Sequence, residues 1–133
     1  MLASVVAIGG SEAGEVAMRV EIDHPGTAPL EGDAALAGRR LVLEVGAYQP
    51  SPSGPTLAVV SADCGGIARE VGRFAVFPDT AFAASDTAPP QRYGFGLPAQ
   101  VGCGVPTGVT VRLEPVLGDG RGASLVITAI RIE

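Results

Sequence analysis

The side chains with the most chemical reach in this chain are one histidine, His24, and two cysteines, Cys64 and Cys103. A lone imidazole rules out a multi-histidine zinc, copper or iron centre built from this chain alone. His24 stands before Pro25, directly after a strongly alternating segment, and so belongs to a loop. A Ser-His-Asp arrangement would use it as the base, yet no Gly-x-Ser-x-Gly turn supplies a nucleophile. It reads as a solvated loop histidine. Each cysteine is set beside glycine, as Asp63-Cys64-Gly65-Gly66 and Gly102-Cys103-Gly104. Soft thiolates suit Cu(I), and the same pair serves equally as one disulfide or as two free thiols. Composition does not choose among the three.

The remaining polar chemistry is diffuse. Fourteen carboxylates face nine basic residues, all of them arginine, for a net charge of −5. That balance argues against a nucleic-acid or anionic-membrane surface. The absence of lysine and asparagine fits a GC-rich bacterial genome. The carboxylates are scattered, with no pair that spacing forces together as glycoside hydrolysis would need. Gly118, Gly120 and Gly122 lie between two strand-like segments, so they make turns and not the helix-backed cradle of a phosphate loop. The segment Pro89 to Pro98 carries Tyr93 and Phe95, two of only six aromatic residues. One expectation is an edge strand whose rings pack on the protein. The functional expectation is an aromatic ring presented to a partner, because exposed aromatics anchor interfaces.

The elements that hold these residues are strands. Hydrophobic residues make up 47% of the 133, but aromatics only 5%, so the core is built from Val, Leu, Ile and Ala. Glycine (19) and proline (11) together exceed a fifth of the chain, which disfavours long helices. Val16, Met18, Val20 and Ile22 alternate with Arg19 and Glu21, the period of a strand with one buried face. Val109, Val111 and Leu113 repeat it, as do Ile130 and Ile132. Further strands are expected at Ser4–Ile8 and Leu41–Val45, with inner strands, apolar on both faces, at Leu57–Ser61 and Phe74–Phe77. Tyr48 to Pro55 reads as a surface loop, Gly32 to Gly38 as a helical turn, Ala83 to Pro90 as a long mobile loop, and Val116 to Gly122 as a hairpin connection. The expectation is one all-β domain over residues 1–133, a single antiparallel β-sandwich of about seven or eight short strands.

In their order, these segments resemble the C-terminal β-sandwich domain of the tyrosinase and polyphenol-oxidase family of type 3 copper proteins. The resemblance rests on several motifs in turn. They are Ser4 to Gly10 with its Gly-Gly, followed by Val16 to Ile22, then Leu41-Val42-Leu43-Glu44-Val45-Gly46-Ala47 leading into the proline-rich Tyr48–Pro55, Thr56 to Ser61, Val71-Gly72-Arg73-Phe74-Ala75-Val76-Phe77, Val109 to Pro115, and Val126 to Ile132. It implies a non-catalytic accessory domain that covers the dicopper site of a tyrosinase-like catalytic protein or domain, providing latency, folding or copper loading. The chain would bind no cofactor itself, beyond transient copper that Cys64 and Cys103 could pass on. Tyr93 or Phe95, then Tyr48, would be the side chain that fills the partner's pocket. The alternative is a generic sandwich that binds a ligand such as carbohydrate, or a structural module. Met1-Leu2-Ala3-Ser4 lacks the basic region and apolar stretch of a signal peptide, so a cytoplasmic chain is expected, or one exported together with its partner.

Overall fold

The computed structural model describes residues 14–30, 39–97 and 106–133. Among these residues nine strands follow in chain order: β1 (Gly14–Glu21), β2 (Gly26–Pro29), β3 (Arg40–Gln49), β4 (Thr56–Cys64), β5 (Ile67–Phe74), β6 (Phe82–Ala83), β7 (Gln91–Gly96), β8 (Gly108–Pro115) and β9 (Ser124–Ile132). They form two antiparallel sheets packed as a sandwich. One has the order β1-β9-β3-β6, with β7 also on β3; the other is β2-β8-β4-β5. The expected all-β sandwich is what the chain forms. The anticipated strand Ser4–Ile8, the helical turn at Gly32–Gly38 and Cys103 lie outside the described residues.

Alternation puts the core where the period-two segments predict it. Met18 and Val20 of β1, Leu41, Leu43 and Val45 of β3, and Leu125 and Ile127 of β9 point inward. They meet Val109, Val111 and Leu113 of β8 and Ala58 and Val60 of β4. Each fully buried Val, Leu or Ile contributes about 1.5–3 kcal/mol relative to exposure. The central strands are apolar outside as well: Val59 is 0% and Val42 2% exposed. Val59 lies between Arg73 and Arg112 in the ladder, and Val42 lies opposite Arg131. Arginine stems can shield such residues while their guanidinium groups stay in water. On the first sheet those groups pair, Arg92 with Glu133 at 3.0 Å, Arg131 with Glu133 at 3.3 Å, and Arg131 also with Glu44.

Four expectations need correction. Val116–Gly122 is not a hairpin: β8 and β9 belong to different sheets, and the segment arches from one to the other. Both strands bury a face in the same core, from opposite sides, and adjacency in sequence does not decide which neighbour each pairs with. Phe74–Phe77 is not an inner strand, because β5 ends at Phe74 on a sheet edge and Phe77 leaves the ladder. Tyr48 is not in a loop; β3 runs on to Gln49, and only the prolines beyond it stop the strand. The stretch Ala83–Pro90 is an interruption of an edge: β6 and β7 pair end to end along β3, with a short Ser85–Ala88 turn between them.

Candidate functional site

Tyr93 and Phe95 alternate with Arg92, Gly94 and Gly96 on β7, so both rings turn toward the sandwich. The Tyr93 ring stacks on Phe74 with centroids 4.1 Å apart and planes 19° from parallel, while Phe95 lies 6.0 Å from Phe74. Gly72 of β5 leaves the space that Phe95 occupies, since a Cβ there would meet the ring. Half-buried, the two rings close the side of the sandwich between β5 and β7. The Tyr93 hydroxyl donates to Gln91 Oε1, and burial raises its pKa. The edge-strand packing described above is therefore their place in the fold.

Tyr48 is 5% exposed and pairs with Phe82 and Leu125 in the ladder. Its hydroxyl donates to Asp79 Oδ1, on the connection between β5 and β6. Burial first, then this hydrogen bond, pushes its pKa up to about 12. The Thr56 hydroxyl approaches the same group but forms no well-aligned hydrogen bond, and among the described residues this buried oxygen finds no partner.

Cys64 closes β4 beside the Gly65-Gly66 turn, buried against Ala62 and Val71, and is disulfide-bonded. Its sulfur is not a thiolate in this state. Among the described residues no group of three or more His, Cys, Asp and Glu side chains is arranged to hold a metal ion. His24 is an exposed turn residue whose backbone bonds to Glu21, with Nδ1 3.8 Å from the Glu21 carboxylate. It borders an open groove of about 630 Å³ shared by Arg19, Glu21, Asp23, Asp119 and Arg121. The guanidinium of Arg19 holds the Glu21 carboxyl below its usual range, and the Arg121 amide and Ser53 hydroxyl do the same for Asp119.

The side chain that sequence reasoning passed over is Phe77. It is 85% exposed, the most open of the large hydrophobics described. The signal was present: counting alternately from buried Phe74 puts Val76 in and Phe77 out, and the following Pro78 cannot continue a ladder. The register places the β1–β2, β3–β4, β5–β6 and β8–β9 connections at one end of the sandwich. Phe77 therefore shares that end with exposed Val116 and Leu117 and with the groove, whereas exposed Ile67 lies at the other.

This end is laced together. Ser51 Oγ donates to the Arg121 carbonyl at 2.8 Å, Ser53 Oγ to Asp119 Oδ1 at 3.1 Å, and the Val116 amide to the Pro55 carbonyl at 2.9 Å. A surface held this way loses little freedom when it binds. Neither the models of known protein families nor the curated proteins give a match to this chain. Any function must be argued from this geometry.

Proposed function

We propose that the chain is a non-catalytic accessory domain that docks on a partner protein through this end of the sandwich, with Phe77 as the side chain that enters the partner. The observation that carries the reading is an almost fully exposed phenylalanine on a connection tied down on both sides, with Val116 and Leu117 exposed at the same end. Burying such an aromatic in a partner's pocket is the ordinary source of hot-spot affinity. The resemblance names the partner to try first: a tyrosinase-like dicopper catalytic protein, whose substrate pocket would accept one ring. In that reading Phe77 takes the role that the resemblance gives to Tyr93, Phe95 or Tyr48, because Tyr48 is buried and the half-buried Tyr93 and Phe95 are packed on Phe74. Copper transfer through Cys64 would additionally require its disulfide to be reduced.

The groove beside His24 favours a second reading, a small-ligand module such as one for carbohydrate. Its described lining is charged and aliphatic, without the aromatic platform on which sugars stack. A glycan array separates the two: hits abolished by Arg121→Ala would support the module. Binding of a dicopper catalytic domain abolished by Phe77→Ala would support docking.

A further inference from the structure

The exposed ring of Phe77 stands on a connection of seven residues, 75–81, that crosses from β5 in one sheet to β6 in the other. Val76 anchors its first part in the core. Beyond Phe77, the Thr80 amide donates to the Pro78 carbonyl at 2.8 Å, a bond internal to the connection. Among the described residues, the polar side-chain link from this half to the body of the protein is the hydroxyl of Tyr48 on Asp79. Tyr48 lies on β3, whose ladder to β9 is central to the first sheet.

We infer that Tyr48 is a positioning residue for Phe77: by holding Asp79, it fixes the far half of the connection so that the ring is presented in one arrangement. This rests on the docking role proposed for Phe77, and it gives Tyr48 a part in that role without contact with the partner. Chemistry supports the assignment. With its pKa near 12, the hydroxyl remains a donor throughout the neutral range, and Asp79 offers a charged acceptor, the stronger kind of hydrogen bond. The ring itself belongs to the core, so Tyr48→Phe removes the tether and leaves the packing in place.

The test is amide hydrogen exchange on the full chain, with and without a tyrosinase-like dicopper catalytic domain, for Tyr48→Phe, Asp79→Ala and Asp79→Asn. In the free protein, Tyr48→Phe and Asp79→Ala should each speed exchange of residues 75–81 by about tenfold, with β3 and β9 unchanged, as expected for one lost charge-assisted bond. Asp79→Asn keeps an acceptor oxygen and should restore most of the protection. The Tyr48→Phe, Asp79→Ala double variant should exchange no faster than either alone. Unchanged exchange of 75–81 in Tyr48→Phe, or equal loss in Asp79→Asn, would overturn the tether whatever the partner does. If the tether holds and the wild-type chain ignores the catalytic domain, the docking reading fails and the positioning of the loop stands. If both hold, Tyr48→Phe should weaken binding several-fold while Phe77 is still present.

Discussion

Phe74 and Phe77 carry the same ring three residues apart, and the backbone sends them to opposite fates. Alternation turns Phe74 into the core, where it stacks on Tyr93, and turns Phe77 out. Proline at 78 then removes the next ladder donor, so among the described residues no strand covers the ring. Tyr48 shows the complementary case, a polar tip on a buried body. Burial and the Asp79 carboxylate both favour its neutral form, which raises the folded-state pKa from the ordinary 10.0 to about 12. A raised value for an acid that is neutral below it means that the stabilisation is complete below about pH 10. It is then lost as the pH climbs toward about 12. Ultraviolet absorbance of the phenolate should therefore show no tyrosine titrating at its ordinary value in the native protein, since Tyr93 is shifted upward too. One phenolate forming near pH 10 without loss of structure would contradict the packing given for these rings.

The strands share one property at their margins: each edge formed by the described residues is blunted against strand addition. β2 is four residues long and ends in Pro29; β5 carries a register shift and the charges Arg69, Glu70 and Arg73; β6 and β7 are interrupted; β1 is bulged opposite β9. Such devices prevent edge-to-edge pairing. The β5–β7 side depends on Gly72 making room for Phe95. Gly72→Ala should cost about 1–3 kcal/mol by overpacking, measurable by denaturant unfolding, and Phe95→Leu in the same chain should recover part of it. At the far end of β4, reduction of the disulfide at Cys64 should lower stability by about 2–5 kcal/mol and shift the thermal midpoint accordingly. Much of this architecture was legible. Val109, Val111 and Leu113 announced their inward face, and Leu57–Ser61 its central position. Gly65-Gly66, both at positive φ, carry the signal of the β4–β5 hairpin. Which strands pair was not legible: β8 and β9 are neighbours in sequence, and only the closing of the core from both sides places them in different sheets.

At the scale of the whole molecule, the division of labour is between a body that is laddered and ion-paired and one end made of connections. Ser51, Ser53, Asp119 and Arg121 tie two of those connections to each other, and Tyr48 ties a third to the body. Tyr93 and Phe95, which the sequence offered as an aromatic anchor on a glycine-rich stretch, pack on Phe74, and the glycine that makes room for Phe95 is Gly72 on β5. What could not be read from residues in a row is that Phe77, Val116 and Leu117 meet at one end, since that follows from register. We propose that this end binds a partner through Phe77. Its most direct test is the affinity of the wild-type chain and of Phe77→Ala for a tyrosinase-like dicopper catalytic domain, measured by calorimetry beside the thermal midpoint of each. An exposed side chain costs the fold at most about 0.5 kcal/mol, while loss of a hot-spot ring costs about 2 kcal/mol or more, roughly thirtyfold in Kd. The expected result is that loss of affinity at an unchanged midpoint. Equal affinity for both chains, or no binding by either, would contradict it.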